Sequence, residues 1–145
     1  MNEPSWREIV KDLDVRALPA SGLWNVAFGY VSGPRKLKIE AKGTWGVTPD
    51  RPYGPDGDRF SSDAVEKCLC PIVPRGALIA KIGGGTSDRT GFIIAVGSLC
   101  TFDLADPAAP NITPVRGTLF LAMNDEPGKF REHTGNLLAT IWEAS

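Results

Sequence analysis

The sequence has one histidine, His133, and three cysteines, Cys68, Cys70 and Cys100. So few imidazoles and thiols leave little material for a histidine-rich metal centre or a triad around a Ser or Cys nucleophile. An odd cysteine count argues against a fully paired disulfide framework. Cys68 and Cys70 are too close in sequence for an unstrained bridge, and no second pair completes a zinc site. They read as small buried or half-buried thiols. No apolar run approaches the roughly 20 residues of a membrane span, so no membrane insertion is expected. Basic blocks are missing and the formal net charge is −1, which makes nucleic acid a poor partner. The opening stretch "MNEPSWREIVKD" has no apolar core of signal-peptide type. A cytoplasmic location is the expectation, with signal-less export as the other route.

Helical periodicity is nearly absent as well, and strand alternation takes its place. In "LWNVAFGYV", Trp24, Val26, Phe28 and Tyr30 share a face; in "KLKIEAKGTW", Leu37, Ile39 and Ala41 oppose Lys36, Lys38 and Glu40. "GALIAKIGGG" and "TGFIIAVGS" are short apolar strands, the second followed by a loop holding "DPAAP". In "GTLFLAMND", Leu119, Leu121 and Met123 alternate with Phe120 and Ala122, and "GNLLATIWE" closes the chain with strand spacing. "SWREIVKDLDV" reads either as a helix, capped by Ser5 with Glu8 completing a capping box, or as a first strand, the reading preferred here. With 145 residues, the chain forms one domain, residues 1–145. Its fold class is all-β, a two-sheet β-sandwich.

Two long polar segments interrupt the strands. One is residues 46–76, dense in Pro, Gly and Asp; the other is "NDEPGKFREHTG", which gathers charges of both signs and His133. Long ordered loops on a β scaffold are where binding sites tend to sit. Tyr53, in "PDRPYGPDGDR", either stacks on the apolar face of a sugar ring or plugs the sandwich edge. Trp45, ending a strand, is expected to be partly exposed there and to offer a second stacking face. Trp6, Trp24 and Trp142 are core candidates. The "KIGGG" glycines lack the lysine-ended pattern of a phosphate loop and read as a turn. Glu132 and Asp125 make a weak hydrolytic pair: the cations beside them lower carboxyl pKa values, whereas a general acid needs them raised. The chain is therefore not expected to be an enzyme.

The order of these pieces resembles one family. "KLKIEAKGTW", "GPDGD", "GALIAKIG", "GTLFLAMND" and "TGNLLATI" are similar, in that sequence, to motifs of the PA-I-type galactophilic lectins, the calcium-dependent bacterial galactose-binding lectins and their looser relatives. The resemblance spans roughly residues 22–142. It implies an antiparallel sandwich of the galactose-binding-domain-like type, a homo-oligomer, and a galactose-type glycan held through calcium. Calcium takes six to eight oxygens, and sugar hydroxyls can fill vacant positions. On this resemblance Asp125 is the first carboxylate ligand and Val47 falls near the residue that lends a carbonyl. Glu132 and His133 stand where the family has two adjacent ligands, and Glu132 can still bind a hard cation. The metal set is thus Val47, Asp125 and Glu132. Lys129, however, occupies the place of a threonine ligand and Arg131 that of a glycine. Ser61 and Ala64 stand where sugar-orienting side chains are expected. The saccharide candidates are Asp125, Glu126, Lys129, Glu132, His133, Ser61 and Tyr53. A lysine beside bound calcium is repelled by on the order of 1 kcal/mol or more. The reading preferred is a carbohydrate-binding site, divergent and calcium-free, in which Lys129 or Arg131 replaces the ion against Asp125 and Glu132. A calcium site of the family type, or an interaction or assembly module that lost sugar binding, are the alternatives.

Overall fold

The computed structural model describes residues 5–58, 65–87, 90–105 and 115–144. Among the described residues, nine strands build two antiparallel sheets. The first has the order β1 (Trp6–Arg16), β9 (Thr134–Ala144), β3 (Arg35–Gly46) and β4 (Pro52–Tyr53), with β7 (Leu99–Leu104) also paired to β3. The second runs β2 (Asn25–Ser32), β8 (Arg116–Met123), β5 (Leu78–Ile82) and β6 (Phe92–Ala95). The fold is the expected all-β sandwich. The N-terminal segment is a strand rather than a helix. It is kinked where its pairing to β9 slips between Val10 and Leu13, and Asp12 there adopts φ 48°.

Period-two patterning explains the core. Leu37, Ile39 and Ala41 from β3 meet Leu137, Ala139 and Ile141 from β9, facing Leu78, Ala80 and Ile82 of β5 and Leu119, Leu121 and Met123 of β8. Fully burying each large aliphatic contributes about 1.5–3 kcal/mol before entropy is counted. Strands β5 and β8 are buried on both faces. Their outer sides, Ile79, Phe120 and Ala122, form a second cluster with Trp24, Leu69, Cys70 and Phe130. Residues 65–76 are therefore a cover: Leu69, Cys70 and Val73 shield the outer face of the second sheet.

Two expectations fail on β2 and β7. Val26 and Tyr30 are 55% and 56% exposed, while Ala27 and Val31 are buried. The pairing of β2 with β8 shifts register between Val26 and Phe28 and again before Val31, so strict alternation does not survive along the strand. Strand β7 lies where a loop was expected.

Lys81 sits within the second cluster with no exposed surface. Its Nζ lies 4.9 Å from the ring centroids of both Trp24 and Phe120 and donates to the Gly85 carbonyl at 2.5 Å. Buried cation–π contacts contribute about 2 kcal/mol or more, and the stem fills space between the rings. Lys81→Ala, which loses both, should lower the unfolding free energy by about 2–5 kcal/mol. Lys81→Met, which keeps the volume, should cost less than half as much. Urea titration checks the pair; equal losses would show that the charge and its hydrogen bond, not the packed volume, decide stability at this position.

Candidate functional site

Strand β3 ends beside the start of β9, with Trp45 opposite Gly135 and Gly46 opposite Thr134. This register carries the segment after Gly46 to the end of the sandwich where β8 also finishes. Residues from both long segments, Val47, Thr48 and Arg51 from one and Asp125, Lys129, Arg131 and Glu132 from the other, line one cleft of about 460 Å³. Arg75 lines it too. Val47 and Asp125 thus meet at one end of the sandwich, 78 positions apart in a chain of 145.

The charged centre of the cleft is built on Asn124 and Asp125. Asn124 is fully buried and staples the covering segment to the end of β8. Its amide nitrogen donates to the carbonyls of Cys70 (2.9 Å), Val73 (3.0 Å) and Pro74 (3.2 Å), and its oxygen accepts from the Cys70 N–H at 2.8 Å. Its own backbone accepts from Gly76 and donates to Ala77. Gly76, at φ 87°, has no room for a side chain because Tyr53 abuts its Cα. With residues 70–77 fixed in this way, Arg75 is brought to Asp125.

Asp125 is 1% exposed and both its carboxylate oxygens have side-chain partners. Oδ1 accepts from Arg75 Nη1 and from the Glu126 N–H at 2.7 Å. Oδ2 lies 2.8 Å from His133 Nε2. His133 Nδ1 lies 3.0 Å from the Ala17 carbonyl. Each ring nitrogen therefore faces an oxygen, one of the Asp125 carboxylate and one of the Ala17 backbone. Burial alone would raise the Asp125 pKa. The bond from His133, the Glu126 N–H and the Arg75 guanidinium outweigh it and hold the carboxyl below the usual carboxylate range. Outside this pair, Glu126 lies 3.8 Å from Arg75 and 2.8 Å from Lys129 Nζ. Lys129 holds the Glu126 carboxyl low, and Glu126 in turn raises the Lys129 pKa. Charges alternate from Asp125 through Arg75 and Glu126 to Lys129.

The remaining expected site residues are distributed as follows. The charged segment after Asp125 is a 3₁₀ turn, Pro127–Glu132, pinned by buried Phe130. The Phe130 ring centroid is 4.3 Å from that of His133. Glu132 and Arg131 are exposed on the cleft wall. His133 is buried at 4% and serves Asp125 from behind. Tyr53 is half-buried and packs on the core and on Gly76; burial pushes its phenol upward. Trp45 is not a stacking face: it is 2% exposed and its indole N–H donates to the Gly76 carbonyl at 2.7 Å. Trp6 and Trp142 are not core but flank Lys38 Nζ at 4.7 and 4.5 Å on the outside of the first sheet. Ser61 and Ala64 lie outside the described residues. The partner of Asp125 is Arg75 rather than Lys129 or Arg131. Arg75 did not stand out in the sequence, where it is one cation in an aperiodic Pro-Gly stretch, and Asn124 figured only as part of the matched "GTLFLAMND" motif, with no role of its own. All three thiols are raised by burial, the opposite of an activated nucleophile. Among the described residues no group of three His, Cys, Asp or Glu side chains could hold a metal ion.

No protein-family model matches the sequence, and no curated protein matches it. Among solved structures, the fold is similar to one described as "EclA N-terminal domain; PllA-like lectin". The TM-score is 0.61 at 15% identity, over 92% of this chain and 96% of that one. A likeness at that identity carries the architecture, an antiparallel β-sandwich over nearly the whole chain; the chemistry has to be argued from the site.

Proposed function

We propose that this lectin-like sandwich is a non-catalytic carbohydrate-binding protein whose cleft works without calcium, an internal guanidinium standing where a metal-dependent relative would carry its ion. The observation that carries the reading is the cleft itself. Two segments remote in sequence converge on it, and its floor is a buried carboxylate neutralised by Arg75. The calcium set of Val47, Asp125 and Glu132 fits the ion poorly: Asp125 already has side-chain partners on both oxygens, and Arg75 and Lys129 bring positive charge to the same place. Arg75 takes the role proposed for Lys129 or Arg131. In a carbohydrate complex Glu132, Arg131 and Lys129 face the ligand. Asp125, His133 and Glu126 hold the cleft's shape from below. The lowered Asp125 pKa supports a binding role, since a general acid needs the reverse shift. Homo-oligomerisation and a galactose-type ligand remain part of the reading taken from the family resemblance.

A glycan array with and without chelator tests the proposal, together with calorimetry using calcium chloride. Glycan binding should be unchanged by chelator, and calcium should give no micromolar binding heat. Glu132→Gln should weaken the bound glycan roughly tenfold if the carboxylate accepts a sugar hydroxyl. Micromolar calcium binding would overturn the calcium-free reading. A blank array on a folded protein would leave an assembly module in place of a lectin.

A further inference from the structure

The charges that line the cleft are unbalanced where a ligand can reach them. Arg75 and Asp125, with side chains 7% and 2% exposed, face one another and cancel. The reachable charged groups on the wall are Arg51, Lys129, Arg131 and Glu132, three cations against one carboxylate. Two of those cations are partly offset: Arg51 pairs with Asp58 at 3.1 Å and Lys129 with Glu126 at 2.8 Å. Arg131 is exposed beside them, and no ion pair among the described residues includes it. Asp58 and Glu126, the partners of Arg51 and Lys129, do not themselves line the cleft, so its lining presents cations in excess; a neutral sugar gains nothing from that. An anionic group gains an attraction that the low-dielectric floor strengthens.

We infer that the ligand of this cleft is an anionic saccharide, its carboxylate or sulfate engaged by Arg131 with Lys129 while Glu132 accepts a ring hydroxyl. The inference rests on the carbohydrate reading and narrows it. The guanidinium fork of Arg131 matches the planar carboxylate and two oxygens of a sulfate alike. Both sources are therefore probed.

Calorimetry with the full chain in the presence of chelator would use sialyllactose and oligogalacturonate for carboxylates, and galactose 6-sulfate for sulfate. Lactose serves as the neutral control and polyglutamate as the non-saccharide anion. At least one acidic sugar should bind ten times or more tightly than lactose. That affinity should fall as salt rises from low to high ionic strength. Arg131→Gln, on an exposed position, should lose about tenfold on the acidic sugar with no change in urea midpoint. Glu126→Gln, which frees Lys129 from its partner, should tighten it. Lactose bound as well as the acidic sugars, or Arg131→Gln without effect, would overturn the inference and leave the carbohydrate reading standing. Polyglutamate bound as tightly as the sugars, or no saccharide bound at all, would overturn both.

Discussion

Asn124→Asp should lower the unfolding free energy by roughly 4–6 kcal/mol, enough to leave a domain of ordinary stability barely folded. The exchange is nearly isosteric, so packing is not the reason. The Asn124 amide nitrogen donates to three backbone carbonyls, those of Cys70, Val73 and Pro74. A carboxylate there would turn three attractions into three repulsions in a site with no solvent. Asn124→Ala leaves the same carbonyls and the Cys70 N–H without partners and should cost only slightly less. Urea unfolding followed by fluorescence measures both. A loss under about 1.5 kcal/mol for Asn124→Asp would mean that the covering segment is held by its apolar contacts and not by this amide. Because Arg75 belongs to that segment, the variant should also disturb the cleft, so it is unsuitable as a binding control.

Asp125→Ala should cost about 3–5 kcal/mol, the usual consequence of stranding one member of a buried ion pair. The stranded group is Arg75, with His133 losing its Nε2 partner as well. Replacing both charges, as Arg75→Met with Asp125→Leu, should recover most of the loss. The pH dependence follows from the direction of the shift. The folded Asp125 carboxyl titrates below its unfolded value. Its contribution is complete above the ordinary carboxylate pKa near 3.8 and is lost as pH falls through that value toward the lower folded one. Glu126 and Asp50 are shifted the same way, so the acid limb of the stability profile is shared by three groups. Asp125→Ala should flatten part of that limb, not remove it. An unchanged acid limb in the variant would show that Asp125 is not held ionised by the fold. A loss of glycan binding in Asp125→Ala says nothing about contact with sugar until its folded fraction is known.

The strands that could be read from the sequence were those whose two faces differ. Leu37, Ile39 and Ala41 against Lys36 and Glu40 admit one orientation only. Strand β2 was misread because its register shifts move the buried face from Val26 to Ala27, and bulges leave no mark on composition. Strand β7, "LCTFDL", pairs with β3 along one edge only; its alternation, Cys100, Phe102 and Leu104 inward against Leu99, Thr101 and Asp103 outward, was legible but short, and it runs into the "DPAAP" stretch. In the site, position in the motif order was enough to select Asp125. Its partner Arg75 was invisible because the contact is made 50 residues away in sequence, by a segment without periodicity. A lone arginine between Pro74 and Gly76, directly before the apolar strand β5, was the one signal available. Trp45 shows the converse: a strand-end tryptophan was expected at the surface, but its indole N–H found a buried carbonyl.

Strand β9 has a practical consequence. It starts at Thr134, against Gly46 near the cleft, and ends at Ala144, paired to Trp6 of β1. Eleven residues span roughly 33 Å, so both ends of the described chain lie side by side at the pole remote from the cleft. A biotin tether or bead linkage at either end would orient every molecule with its opening outward. On the carbohydrate reading proposed above, dense immobilisation should therefore give multivalent capture of glycan-bearing surfaces even where single-site affinity is weak.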